Sequence, residues 1–362
     1  MKVMISTLSL ALSLAVAGPA LAAPKQKDAP AAPTAAPTAA DADAFVAAAE
    51  KDLFDYTVEA SQVNWVNATY ITDDTDAMAA RINAVGTEKA VKYALEAAKY
   101  RDVAGLSADT KRKLDILRTG LVLPAPTRPG AATELNTIAT DLQSQYGKGR
   151  GTLGGKEISG SDIEAEMGNL QHTPAEYAEM WTSWHDNVGA PMKDDYARLV
   201  TIANEGAKEL GFADTGAMWR SGYDMSPEDF AKTTERLWQE VKPLYLALHT
   251  YVRWKLNEKY GDAVQPKTGP IRADLLGNMW AQEWGNIYPL VAPPGSGDLG
   301  YDIGDLLKAQ GKAPLDMVRA GENFYSSLGF EKLPESFWKR SLFTKPADRE
   351  VVCHASAWDV DN

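Results

Sequence analysis

Apolar positions in this chain recur at three- and four-residue spacing over most of its length, the period of helices that each bury one stripe. Phe45, Ala49, Leu53, Tyr56, Ala60 and Val63 form the first stripe. Asp73, Asp74 and Asp76 then cluster ahead of an Ala-rich run beginning at Ala77. Acids there suit the positive end of a helix dipole, whereas the spaced ligands, central Gly and distant Glu of a calcium loop are missing. Leu135 to Tyr146 also reads as helix. The clearest helix runs from Ser226 to Tyr260: Ser226 can cap it, Pro227 suits its first turn, Asp229 completes a box-like pattern and Gly261 stops it. Its expected buried face is Phe230, Leu237, Val241, Tyr245, Leu248, Val252 and Leu256. Pro243 lies inside, removes the bond to the Gln239 carbonyl and predicts a kink. A further helix is expected over Asp274 to Tyr288, ended by the Pro289 to Gly297 loop. Strand-like runs are scarce, and Glu350 to His354 is the best of them. The predicted class is all-α, with a small β element near the C-terminal end.

Composition narrows the function. The 362 residues suffice for one large domain or two ordinary ones, and 10 Trp with 14 Tyr supply ample core material. The formal net charge is -12, and no dense Lys/Arg cluster offers a track for a phosphate backbone, so nucleic acid is not the expected partner. Residues 1–22 read as a removable secretory signal: Lys2, an apolar stretch from Ile5 to Ala17, then Ala20-Leu21-Ala22 as cleavage site. A membrane anchor is the competing reading, but the stretch is shorter than the roughly 20 residues a span needs. No other segment is long and apolar enough to cross a bilayer. Residues 23–40 are rich in Ala, Pro and Thr and poor in large apolar side chains, the composition of a loose tether. Folding is expected to begin near Asp41, in an exported protein of a bacterial periplasm. Cys353 is the sole cysteine, hence either a buried free thiol or half of a bridge.

The candidate motifs are mostly weak. Gly149-Arg150-Gly151-Thr152-Leu153-Gly154 has Gly-x-Gly-x-x-Gly spacing but follows a helix instead of a strand, so a flexible loop is expected, not a nucleotide turn. Arg150 and Glu157 also break the P-loop pattern. The four histidines, His172, His185, His249 and His354, lack the spacing of a metal-binding helix face. Neighbouring strand residues point to opposite faces, which argues against a Cys353–His354 nucleophile and base. Ser356 shares a face with His354, yet no orienting acid or oxyanion hole can be placed. If the last run is a strand, Ala355 and Ala357 present backbone groups along one edge, and their small side chains let an extended peptide come close. An ordinary internal strand is the plainer reading of that periodicity.

Longer runs carry a resemblance. Ser61 to Thr72 (SQVNWVNATYIT), Trp219-Arg220-Ser221-Gly222-Tyr223, Leu275 to Trp284 (LLGNMWAQEW), Asn286-Ile287-Tyr288, Phe324 to Phe330 (FYSSLGF), Phe337-Trp338 and Val351 to Asp359 (VVCHASAWD) follow one another in order. Together they resemble the angiotensin-converting enzyme family of zinc peptidyl-dipeptidases. The resemblance implies an elongated helical fold around a deep channel, lid helices at the N-terminal side, and removal of C-terminal dipeptides from oligopeptides. It also implies substrate-binding roles. Gln282 would grip the terminal carboxylate, His354 would bond a substrate carbonyl, and Ala355 and Ala357 would pair with the peptide backbone. Tyr223 would border a chloride.

The same resemblance marks departures. Trp184-His185-Asp186 stands where animal members have Trp-Arg-Asp, and a histidine is only partly charged at neutral pH. The loop from Tyr146 to Gly160 lacks the cysteine pair of animal members, and Cys353 matches a bridged cysteine whose partner would lie past Asn362. The His-Glu-x-x-His zinc helix, the third ligand and the transition-state stabilisers would likewise lie past Asn362. Residues 41–362 are therefore expected to be the N-terminal portion of a single peptidase domain. They would supply lid and subsites, with no catalytic or metal-ligating residue of their own, and be inactive alone. Zinc and chloride belong to the complete enzyme, whose remaining C-terminal part is the expected partner. The alternative is a non-catalytic helical module that binds peptides, or a pseudoenzyme.

Overall fold

A computed structural model describes residues 36–296 and 303–360. The expected signal and most of the expected tether lie outside these residues.

Helix α1 spans Ala39–Thr69 and starts in a capping box: the Thr38 hydroxyl accepts from the Asp41 amide while the Asp41 carboxylate accepts from the Thr38 amide. Thr72 and Thr75 form the same reciprocal cap at the start of α2 (Asp73–Ala98), whose first turn carries Asp73, Asp74 and Asp76 as expected. The two helices approach closely because small residues line the seam. A Cβ at Gly86 would sit 2.6 Å from Cζ of Tyr56, whose hydroxyl donates to the Ile82 carbonyl at 3.0 Å. Asn64 and Asn83 exchange amide hydrogen bonds of 2.9 and 3.0 Å across the same seam. Helix α3 (Ala108–Thr119) closes one end with Leu114 against Ala42, Val46 and Ala97.

Helix α4 (Ala131–Lys148) packs on α2 and on α7 (Ala190–Glu209, below) through Ala84, Leu135, Leu142, Leu199 and Ile202. The glycine-rich run that follows is a hairpin, not a flexible loop. Strand β1 (Arg150–Leu153) pairs antiparallel with β2 (Lys156–Ser159). Gly154 and Gly155 adopt φ of +60° and +72°, the left-handed pair that a two-residue hairpin turn requires. The Glu179 carboxylate clamps both turn amides at 3.0 and 2.9 Å. Gly160 is needed for packing: a Cβ there would lie 2.7 Å from the Trp184 ring.

Helices α5 (Gly160–Met167) and α6 (Pro174–Trp184) place Ile163, Met167, Met180 and Trp184 in the largest core cluster. Between α6 and α7, His185–Gly189 forms a π-turn in which the Ala190 amide bonds the His185 carbonyl. Pro191 has no N–H to offer the Asn187 carbonyl, and its ring crowds that carbonyl, which accounts for the wider turn there. After α8 (Thr215–Arg220), helix α9 runs over Pro227–Tyr260, capped by Ser226 and stopped at Gly261 with φ +79°, as expected.

The expected buried face of α9 is only partly buried. Val252 and Leu256 enter the core, but Leu237, Val241, Tyr245 and Leu248 are exposed, as are Leu244 and Leu246. The periodicity is real; the described elements leave its stretch from Leu237 to Leu248 exposed. The expected helix over Asp274 to Tyr288 is also corrected. Only Ala273–Leu275 and Gly285–Ile287 form short 3₁₀ turns, followed by α10 (Tyr288–Val291). Gly277 at φ +83° interrupts the helix, and the Asn278 side chain takes over backbone partners, accepting from Trp280 N and donating to Glu283 O. Pro289 begins α10 instead of ending a helix, since a first-turn position needs no N–H.

Helices α11 (Ile303–Ala309), α12 (Pro314–Ser327) and α13 (Glu335–Arg340) contribute no fully buried residue, and Phe324, Tyr325, Leu328 and Phe330 are exposed. The run from Glu350 to His354 is not a strand: among the described residues the sole sheet is β1–β2, so the β element lies at 150–159. Two backbone bonds tie the run to the end of α1, Ile71 N to Glu350 O at 3.0 Å and Val352 N to Ala68 O at 2.8 Å. Two bonds make an anchor, not a ladder.

Candidate functional site

The residues expected to bind substrate lie on three elements: a loop, the terminal segment and the junction of α8 and α9. Gln282 is exposed on the loop between the two 3₁₀ turns. That loop is fixed from below. Asn278 is 1% exposed and bonds both Trp280 and Glu283, Asn286 donates to the Gly277 carbonyl at 2.8 Å, and Glu164 of α5 accepts from Met279 N at 3.2 Å. Ala281, just before Gln282, has φ of +55°, a left-handed conformation that disfavours a Cβ.

The Trp280 ring emerges from this loop and stacks on Tyr146 at the end of α4, with centroids 6.2 Å apart. Tyr146 also meets the buried Trp184 ring edge-on at 5.7 Å. Its hydroxyl is pushed above the usual phenol range, first by burial and then by the negative charges of Glu164 and Cys353. Tyr146 thus links the end of α4 to the Gln282 loop and to the core around Trp184. Sequence periodicity gave no hint of this role, because Tyr146 reads as one more helical aromatic. Trp280 sat within a quoted run without being singled out.

His354, Ala355 and Ala357 are exposed on the terminal segment. The His354 Nδ1 lies 2.7 Å from the Ala355 carbonyl, which can only accept, so this nitrogen carries the hydrogen. Its amide donates to Val352 O at 2.9 Å, and Ser356 Oγ accepts from the Trp358 indole at 2.8 Å. The segment satisfies itself locally, and a peptide pairing with Ala355 would displace the imidazole from that carbonyl. Cys353 is free and exposed, which corrects the buried-thiol alternative.

Tyr223 stands apart from these residues. It is exposed at the junction of α8 and α9, with its ring stacked on Phe230 at 4.4 Å. His185 stacks on Trp181 at 3.9 Å, with Nδ1 2.7 Å from the Trp181 carbonyl, and meets Trp280 edge-on at 6.4 Å. His172 bonds Glu166 at 2.8 Å. His249 lies 3.3 Å from Arg253, and its pKa is lowered by burial first and by that guanidinium second. Among the described residues no three His, Cys, Asp or Glu side chains gather as metal ligands would. These residues do not fit a zinc site. No described helix is long and apolar enough to cross a membrane.

The fold is a helical domain with one small hairpin, in which an aromatic pair joins the Gln282 loop to α4 and two backbone bonds tie the terminal segment to the end of α1. Comparison with known proteins assigns its family. The chain belongs to the angiotensin-converting enzyme family, peptidase family M2, whose model matches residues 36–362. It is 36% identical to the angiotensin-converting enzyme of Mesocricetus auratus over 329 residues, 89% of this chain and 24% of that protein. It is 34% identical to that of Haematobia irritans exigua, covering 85% of this chain and 51% of the relative. It is 45% identical to that of Theromyzon tessulatum over 203 residues, 56% of this chain and 32% of the relative. The chain therefore spans a quarter to a half of these relatives' lengths.

Proposed function

We propose that this chain is the N-terminal portion of an exported zinc-dependent peptidyl-dipeptidase that removes C-terminal dipeptides from oligopeptides. Family membership over residues 36–362 carries the reading. Gln282, projecting from a loop held by buried Asn278, would donate its amide to the peptide's terminal carboxylate. His354 would give its ring hydrogen to a substrate carbonyl, exchanging the Ala355 carbonyl for it. Ala355 and Ala357 would then pair with the extended peptide, and Tyr223 would border an anion.

The zinc ligands and catalytic acids belong, on this reading, to further polypeptide of the same domain. The open stripe of α9 and the bare aromatics of α12 supply apolar surface for that polypeptide to cover. Contiguous apolar area of this kind is normally buried in a partner surface. Alone, the chain provides subsites without turnover. The signal-like residues 1–22 support export, most simply to a bacterial periplasm.

The test uses the enzyme extended through the rest of its family domain. Gln282→Leu should raise KM for a tripeptide with a free carboxylate while leaving KM for its C-terminal amide little changed. Equal losses on both substrates would remove Gln282 from the carboxylate site. A non-catalytic peptide-binding module would instead bind tripeptide without ever releasing a dipeptide.

A further inference from the structure

Next to the backbone that anchors the terminal segment lies a buried polar junction in which none of the expected site residues takes part. Asn67, near the end of α1, is 5% exposed, and its amide donates to Asp76 Oδ1 at 2.7 Å. Asp76, 9% exposed in the first turn of α2, lies 3.6 Å from Lys148 Nζ at the end of α4 through its other oxygen. One carboxylate therefore ties three helix ends together. The chain between Asn67 and Asp76 is fixed as well: Thr75 Oγ1 donates to the Tyr70 carbonyl at 2.8 Å and caps Thr72 N at 2.9 Å.

That short connection is the surface to which the terminal segment is bonded. Ala68 O receives Val352 N, and Ile71 N donates to Glu350 O. Ala68, Ile71 and Val351 are all buried. Gly147, next to Lys148, leaves the space: a Cβ there would lie 2.6 Å from Ile71 Cδ1 and 3.6 Å from Val351 O. Arg150 pairs with Glu350 on the far side. A buried carboxylate left without its amide partner must recover solvation, and the easiest route is opening of the α1–α2 connection.

We propose that Asn67, Asp76 and Lys148 are positioning residues that set the register of residues 350–352 on α1, and through them the presentation of His354, Ala355 and Ala357. The value of that presentation rests on the peptide-binding reading; the junction itself does not. Asn67 also begins the Asn67-Ala68-Thr69 sequon, and its burial against Asp76 assigns the side chain to this junction instead of to solvent.

The test is amide hydrogen exchange on the chain as it stands. Asn67→Ala should speed exchange at Ile71 and Val352 by about tenfold or more, the scale set by loss of a hydrogen bond to a charged group. The Leu256 amide, in the core part of α9, should be unchanged. The exchanged pair Asn67→Asp with Asp76→Asn restores a donor and an acceptor and should return protection to within about threefold of the parent. Unchanged protection at Ile71 and Val352 in Asn67→Ala would overturn the proposal, as would an equal rise at Leu256 or failure of the exchanged pair to recover. Normal exchange behaviour in a chain whose extended form ignores peptides would fault the peptide site and leave the junction standing.

Discussion

Tyr146 and Trp280 lie with ring centroids 6.2 Å apart and planes 24° apart, joining the end of α4 to a loop more than a hundred residues later. The pair ties the Gln282 loop to the end of α4. Offset aromatic pairs contribute about 0.5–1.5 kcal/mol beyond the area they bury. Tyr146→Ala should therefore lower the unfolding free energy by roughly 1–3 kcal/mol, less than a fully buried aromatic because the residue is 43% exposed. Tyr146→Phe should cost less than about 1 kcal/mol, since the ring contacts with Trp280 and Trp184 survive. Urea denaturation of both variants checks this. Equal costs would mean that the hydroxyl, not the stack, matters.

Ala281 sits at φ +55° immediately before Gln282. A left-handed conformation costs a non-glycine residue roughly 1–2 kcal/mol, against about 0.5–1 kcal/mol of entropy that glycine would lose. Ala281→Gly should be neutral to slightly stabilising, by up to about 1 kcal/mol. Ala281→Val should destabilise by more than about 1 kcal/mol, because β-branching crowds that conformation further. A thermal melt in which valine is tolerated as well as glycine would contradict the strain.

Glu179 has a carboxyl pKa below its ordinary 4.5, chiefly through the Gly155 amide, with Thr152 and the Gly154 amide adding to it. A lowered folded pKa means that the carboxylate's contribution is complete above the ordinary value and disappears as pH falls through the lowered one. The stability gap between the parent and Glu179→Gln should be constant above about pH 5 and close on acidification. Denaturation curves from pH 6 to pH 2 measure it. A gap that persists at the acid end would show that the clamp does not depend on charge.

The open stripe of α9 makes an unusual prediction for large apolar residues. Leu244 is 73% exposed and Leu248 49% exposed. Changing both to Gln should alter the stability of this chain by less than about 0.5 kcal/mol per site, as for surface positions. It should also reduce binding of a hydrophobic dye. Within a longer enzyme that covers the stripe, the same change should cost about 2–5 kcal/mol per site. A loss of that size in the present chain would mean that the stripe is already packed.

Helix positions were legible wherever a cap and a period agreed, as at Ser226 to Tyr260, where the stop at Gly261 also held. Burial was not legible there, because periodicity shows which face is apolar and not what covers it. The 274–288 segment was misread for a different reason: Asn278 competes for backbone partners through its side chain, and Gly277 turns the chain left-handed. Gly154-Gly155 is a hairpin turn that the Gly-x-Gly-x-x-Gly spacing obscures, because one of its glycines also completes that motif. The terminal segment reads as a strand by residue type, yet a strand needs a ladder partner, and the described residues offer two anchoring bonds. The binding roles proposed for Gln282 and His354 rest on family resemblance alone. The contacts of Tyr146 and Asn67 that organise their surroundings needed three dimensions.

On the proposed function, peptide cleavage requires polypeptide beyond these residues. That requirement is tested most directly by incubating the purified chain with excess zinc and an N-blocked tripeptide, then measuring free C-terminal dipeptide with and without a chelator. The account predicts no release above the blank from this chain, and chelator-sensitive release once it is extended through the remainder of the family domain. Chelator-sensitive release of dipeptide by the chain alone would contradict it.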